Sequence, residues 1–184
     1  MRPSLTRTAH ERLRHHLHAG DVAVDATAGN GHDTLFLARE VGSEGHVFAF
    51  DIQPPALEET RRRLEEAGAE SRVTLLHAGH EEMEARLPLE VHGRLAAVMF
   101  NLGYLPGSDK QVVTAPATTL QALEQAARLL APGGLLSILA YRGHPGGQEE
   151  AEAVHEQLSA LHGFTLEAIE SPGPVLFMAR KERI

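Results

Sequence analysis

Two aspartates closing neighbouring apolar runs, with a glycine pair between them, are the first residues whose spacing suggests chemistry. The run DVAVDA (21–26) opens into Asp25-Ala26-Thr27-Ala28-Gly29-Asn30-Gly31-His32-Asp33-Thr34, and HVFAFD (46–51) ends in Asp51. Glycines at a first strand-to-helix turn let a ligand approach the backbone. A carboxylate closing the next strand can accept hydrogen bonds from both hydroxyls of a ribose. Thr27, Gly29, Asn30, Gly31 and Asp51 are therefore expected to hold an adenosine-containing ligand. A dinucleotide fingerprint would want glycine at position 34, where threonine stands. Asp25, Asp33 and Asp51 together would oppose a pyrophosphate, even at a helix N-terminus. They suit S-adenosylmethionine, whose sulfonium and ammonium are cations. The alternative for Asp33 is a helix cap, and for Asp25 a packing role. Gln53, and His80 in His77-Ala78-Gly79-His80, extend the same edge toward an adenine; His80 could equally cap the helix that follows.

A second chemical loop follows the fourth apolar run: Phe100-Asn101-Leu102-Gly103-Tyr104-Leu105-Pro106-Gly107-Ser108-Asp109-Lys110. An asparagine side chain offers one acceptor and two donors. Asn101 could accept from an amine and aim its lone pair at an electrophilic methyl group, and could also touch the cofactor. Tyr104 could stack on a planar base. Transfer to an amine needs alignment and exclusion of water, and an ammonium must first lose a proton; Asp109 is one candidate acceptor. An ordered turn with solvated Asp109 and Lys110 is the alternative. The stretch Tyr141-Arg142-Gly143-His144-Pro145-Gly146-Gly147 after the fifth run offers Arg142 and His144 to a phosphate or base, or is an ordinary loop. The twelve histidines form no HExxH and no G-x-S-x-G occurs, so neither a catalytic metal nor a serine hydrolase is expected.

The elements that must position these residues alternate at α/β spacing. Strands are expected at 21–26, 46–51, 73–77, 95–100, 135–141, 164–169 and 175–180, with helices at 34–40, 55–67, 117–130 and 148–161. Ala131-Pro132-Gly133-Gly134 reads as a turn into the fifth strand. Glu170-Ser171-Pro172-Gly173-Pro174 is too short for a crossover helix, so the last two strands should pair antiparallel. The expected fold is α/β and Rossmann-like: one domain over 1–184, a seven-stranded, mostly parallel sheet with a C-terminal antiparallel hairpin and helices on both faces. Residues 1–19 form a basic helical segment ahead of a 20–184 core.

Composition agrees with one globular unit. The chain has 184 residues, 42% of them hydrophobic, and a formal net charge of −8, which disfavours indiscriminate binding to polyanions. Its basic end, with Arg2, Arg7, Arg12 and Arg14, could still touch RNA, or could be a solvated first helix. His10, His15 and His18 recur along a candidate face there. The lack of cysteine excludes disulfides and thiol nucleophiles, and no apolar run suits a membrane span or secretory signal. A cytoplasmic protein with no membrane partner is expected.

Taken together, DATAGNGHDTLFLA (25–38), FDIQ (50–53), NLGYLPGSDK (101–110) and YRGHPGGQEE (141–150) resemble the small class I methyltransferases of the YtqB/MnmM-like family, long labelled rRNA methylases. The resemblance spans nearly the whole chain. Ser108 stands where that family usually carries glycine. It implies an S-adenosylmethionine-dependent enzyme, releasing S-adenosylhomocysteine, that converts 5-aminomethyl-2-thiouridine of the tRNA wobble position to its methylaminomethyl form. It also implies cofactor roles for Asp25, Gly29, Asn30, Gly31, Asp51, Gln53 and His80. Asn101, Tyr104, Asp109, Lys110, Tyr141, Arg142 and His144 would lie near the substrate. So small a chain would grip the tRNA anticodon loop through residues 1–18, the 102–110 loop and Arg142, or complete its surface as a homodimer. Methylation of rRNA or of a small-molecule amine, and a non-catalytic nucleotide- or RNA-binding module, are the competing readings.

Overall fold

The computed structural model describes residues 3–103 and 115–184. Seven strands form one sheet: β1 (Val22–Asp25), β2 (His46–Asp51), β3 (Val73–His77), β4 (Leu95–Leu102), β5 (Leu130–Ala140), β6 (Phe164–Ile169) and β7 (Val175–Lys181). Their order is β3-β2-β1-β4-β5-β7-β6. The first five run parallel, while β7 pairs antiparallel with both β5 and β6. The expected hairpin therefore enters the sheet by its second strand, which β5 needs as a neighbour. Winding reverses between β1 and β4, and the crevice at the carboxyl ends of these strands is where an α/β sheet receives a ligand.

Successive strand residues point to opposite faces, and each face has its own core. Val24, Phe48, Val98 and Ile138 lie under α5 (Pro116–Leu129) and α6 (Gly147–Ser159), against Leu123, Ala126, Val154 and Leu158. Ala23, Val47, Met99 and Leu139 face the other way, against α2 (His32–Val41) and α3 (Pro54–Glu66), through Phe36, Leu37, Val41 and Leu64. A short α4 (Met83–Arg86) adds Met83 to the first core. Near-continuous apolar strands are the sequence consequence of two covered faces.

Two local expectations change. α5 passes into β5 at Leu130, which already pairs with Leu95; the register resumes at Leu135 opposite Ala97. Ala131–Gly134 is thus an irregularity within the strand rather than a turn before it, accommodated by Gly133 at φ +84°. The N-terminal segment is also less independent than a basic arm. Its helix, α1 (Leu5–Arg14), starts with the Ser4 hydroxyl accepting from the Arg7 amide, and ends before His15 and His18, leaving only His10 of the three on the helix. Ala9, Leu13 and Leu17 are buried in the α2 and α3 core. Leu13 has no exposed surface, so Leu13→Ala should cost about 2–5 kcal/mol, read as a lower urea midpoint at unchanged m-value.

Candidate active site

The loop between β1 and α2 is held before any ligand arrives. The Ala28 amide donates to the Phe50 carbonyl (2.8 Å) and the Gly31 amide to the Ala28 carbonyl (2.9 Å). From α3, the Thr60 hydroxyl donates to the Gly29 carbonyl (3.0 Å) and Arg63 Nε to the Asn30 carbonyl (2.8 Å). Two loop carbonyls are thereby turned to the protein. Nothing in the local sequence announced Thr60 or Arg63, because their role appears only once α3 lies beside the loop. Gly31 has φ +85°, and a Cβ there would sit 2.8 Å from the Thr60 Cα. Its glycine serves the close approach of α3, and Gly31 is absent from the cavity lining.

That cavity, about 780 Å³, opens at the carboxyl ends of β1, β2 and β4. Thr27, Gly29, Asn30, Asp33, Asp51, Gln53, His80, Asn101, Tyr141 and His144 all line it. Asp51 Oδ2 accepts from the Gly29 amide and Oδ1 from the Gln53 amide, each at 2.9 Å. Its carboxylate is thus aimed by two backbone donors, and its remaining lone pairs are available to hydroxyl groups. His80 is almost fully buried, with its ring tilted against Phe100 at 5.6 Å. Burial holds its imidazole below the ordinary value. Gly79 occupies the cap position of the short turn His80–Glu82, so the His80 side chain packs at the cavity instead of capping.

The other expected residues divide. Asp25 has no exposed surface and stands behind the wall, accepting from the Thr34 hydroxyl (2.7 Å) and the Thr27 amide (3.1 Å). It supports the loop and is absent from the cavity lining. Asp33 is 7% exposed and reaches the cavity; His10 Nε2 lies 2.6 Å from its Oδ1, and Asn101 Nδ2 donates to its Oδ2. α2 carries no side-chain cap, so Asp33 is not one. The Asn101 amide donates to the Thr27 hydroxyl at 2.7 Å. Arg142 turns away: its guanidinium donates to the Gly173 and Ser171 carbonyls and pairs with Glu170 at 2.9 Å. It clamps the β6–β7 turn and is absent from the cavity lining. Tyr104, Asp109 and Lys110 lie outside the described residues. Thr6 and His32 also line the cavity, although neither stood out in the sequence.

The basic end gathers elsewhere. Arg12 pairs bidentately with Glu167 (3.0 and 3.1 Å), and Arg14 Nε with Glu40 (3.1 Å). Arg12, Arg94, Arg180 and Arg183, with His15 and His16, line a polar groove of about 650 Å³ at the opposite ends of β4 and β5. Burial holds His16 below its ordinary pKa. Among the described residues, no cluster of three His, Asp or Glu side chains suits a metal, and no helix is long and apolar enough to cross a membrane.

Burial pushes the Asp25 carboxyl up to about 7, reinforced by the negative charge of Asp33 and opposed by the Thr34 and Thr27 hydrogen bonds. In the unfolded chain the same group ionises near about 3.9. The raised value favours the folded state fully below about pH 3.9, and that advantage is lost as pH rises through about 7. Asp25→Asn removes this component. The stability of the wild type relative to Asp25→Asn should therefore fall between pH 5 and 7, by up to about 1.4 kcal/mol per pH unit, in urea titrations at fixed salt. A constant difference across that range would contradict it.

The comparisons with known proteins agree with this geometry. Residues 47–172 match the family model described as "Putative rRNA methylase". A solved "putative rRNA-methylase" from Clostridium thermocellum is 38% identical, with TM-score 0.91 and 98% of each chain covered. A "putative methyltransferase" from Streptococcus mutans, solved in complex with SAH, is 34% identical, with TM-score 0.86 over 98% of this chain and 99% of that one. The "tRNA (mnm(5)s(2)U34)-methyltransferase, chloroplastic" of Arabidopsis thaliana is 43% identical over 168 residues; the match covers 87% of this chain but 61% of that relative's length. With more than half its length under the family model and a near-complete superposition on solved relatives, the chain belongs to this family of class I methyltransferases.

Proposed function

We propose that this chain is an S-adenosylmethionine-dependent N-methyltransferase that converts 5-aminomethyl-(2-thio)uridine, at tRNA wobble position 34, to 5-methylaminomethyl-(2-thio)uridine. One observation carries the reading: Asp51, the Gly29-Asn30 backbone and Asn101 line a single cavity. The donor set fits the cofactor. Asp51, oriented by two amides, suits the ribose hydroxyls; Gln53, Phe50 and His80 surround a space for the base; Asp33 offers negative charge to a cationic ligand. The bound cofactor would supply a methyl group on a sulfonium, already activated toward a nucleophile.

The chain's own residues then have to orient the amine and exclude water. Asn101 Nδ2 donates to Asp33, which leaves Oδ1 to accept an N–H from the substrate and to align the nitrogen lone pair. Tyr141, 43% exposed at the cavity mouth, suits contact with a planar base. The ammonium proton must pass to a base or to water before transfer, and transfer leaves S-adenosylhomocysteine and a protonated secondary amine. A wobble base in a single-stranded anticodon loop enters such a cavity without the cost of opening a long duplex. The Arabidopsis relative's activity toward mnm5s2U34, as its name states it, supports this substrate. The rRNA activity in the family description favours a second reading, methylation of rRNA. A loose homodimer in the cytoplasm would enlarge the RNA-facing surface.

Incubation with labelled methyl donor and tRNA lacking the modification, followed by nucleoside mass spectrometry, should show one added methyl group on the wobble nucleoside. Transfer to rRNA or to a metabolite instead would overturn the substrate. Asn101→Ala should lower kcat by about 100-fold with S-adenosylhomocysteine affinity within about threefold; equal losses would make Asn101 a part of the cofactor pocket. For RNA contact, Arg12 and Arg14 would have to exchange Glu167 and Glu40 for phosphates. The Arg12→Ala/Arg14→Ala variant should weaken tRNA binding and flatten its salt dependence, and unchanged binding would remove this helix from the interface.

A further inference from the structure

We infer that His10, on α1, is a positioning residue for methyl transfer: acting through Asp33, it fixes the Asn101 side-chain amide with its carbonyl toward the substrate. The inference rests on the proposed role of Asn101 as the acceptor for the substrate amine. It gives a chemical task to a helix that lies outside the matched 47–172 segment and whose sequence reads only as basic.

The geometry is a chain of three side chains from three elements. The His10 ring stacks on Phe36 of α2, centroids 3.9 Å apart and planes within 2°. That stack sets the plane of the imidazole and brings Nε2 to 2.6 Å from Asp33 Oδ1. The other carboxylate oxygen, Oδ2, receives Nδ2 of Asn101. An ionised carboxylate accepts and cannot donate, so it decides which end of the Asn101 amide faces it. Nδ2 must point to Asp33, and Oδ1 is left for the cavity. The Asn101 backbone is held separately, by its amide donating to the Thr27 hydroxyl. Main chain and amide are therefore fixed by different partners.

His10 matters because Asp33 is under electrostatic pressure. Its side chain is 8% exposed, close enough to the buried Asp25 to raise that carboxyl's pKa, and its second face borders the cavity. A donor on Oδ1 keeps the carboxylate turned to α1 and its other oxygen on Asn101. Without that donor, the carboxylate is free to rotate toward a cationic ligand, and the Asn101 amide loses the partner that distinguishes its two ends. A merely structural role for His10 would reside instead in its stack on Phe36 and its docking of α1.

Two variants of the full-length protein separate these roles. His10→Phe keeps an aromatic ring for the stack and removes the donor; His10→Gln keeps an N–H donor near the Nε2 position and removes the ring. We expect His10→Phe to lower kcat on the aminomethyl-uridine tRNA by about tenfold, with KM for tRNA and affinity for S-adenosylhomocysteine each within about twofold. His10→Gln should recover most of that loss. The second readout needs no turnover: the Asn101 side-chain amide in 1H–15N spectra, identified by its loss in Asn101→Ala, should shift in His10→Phe and return toward its wild-type position in His10→Gln. Wild-type kcat together with an unmoved amide signal in His10→Phe would overturn the inference. So would a larger effect of His10→Gln than of His10→Phe, because the stack would then be what matters. Failure of the wild type to methylate this tRNA would instead count against the proposed substrate, and the amide signal would still decide the role of His10.

Discussion

Three carboxylates, Asp25, Asp33 and Asp51, converge on one strand-to-helix loop, and their mutual repulsion is the constraint around which the site is arranged. Each is accommodated differently. Asp25 is sealed from solvent against two threonines, and burial together with its acidic neighbours pushes its carboxyl up to about 7. Asp33 receives one imidazole and one amide. Asp51 receives two backbone amides and keeps lone pairs facing the cavity. The resulting wall attracts cations and repels polyphosphates. With Asp33 and Asp51 facing the cavity, the wall suits a cationic sulfonium better than a polyphosphate.

The helices around this cluster act on the site as much as on the core. α3 contributes Thr60 and Arg63 to the loop carbonyls, and its closeness at Thr60 leaves no room for a Cβ at Gly31. α1 buries Ala9 and Leu13 beside α2 and in the same turn delivers His10 to Asp33. Beside the carboxyl end of β5, the β6–β7 turn is clamped by Arg142, with two carbonyl contacts and one ion pair. A cation expected near the substrate thus serves the fold of the terminal hairpin. Arg12 and Arg14 likewise meet acidic partners within the chain. These exposed pairs are individually weak, so they compete poorly with phosphates and contribute little to holding the molecule together.

How far the site could be read in advance depended on whether a residue's role was local. Asp51 ends one apolar run and Gly29 follows another by four residues, and both line the cavity. Asn101 was legible for the same reason, as the last polar residue of an apolar strand. Gly31 was legible as a glycine but not in purpose, because its constraint comes from Thr60 across the loop. Arg142 was misleading: its neighbours in sequence belong to a chemical-looking loop, while its contacts are with residues 170–173, far along the chain. His10 resembled one histidine among several on a basic stretch; only the end of α1 at Arg14 separates it from His15 and His18.

Alternating apolar runs, a five-residue connection too short for a crossover and strand-end aspartates by themselves determined an α/β sheet with a terminal hairpin and a ligand crevice beside the first strand. Those are consequences of periodicity and chain length, which act between near neighbours. The direction each side chain takes was decided only in three dimensions. Asp25 turned inward while Asp33 reached the cavity, the Asn101 amide found its donor end set by a carboxylate 68 positions earlier, and a histidine of the first helix came to stand behind it. Hydrogen bonds and charge repulsion depend on distances of a few ångströms between residues remote in the chain, and those distances exist only after the sheet has formed and its helices have docked.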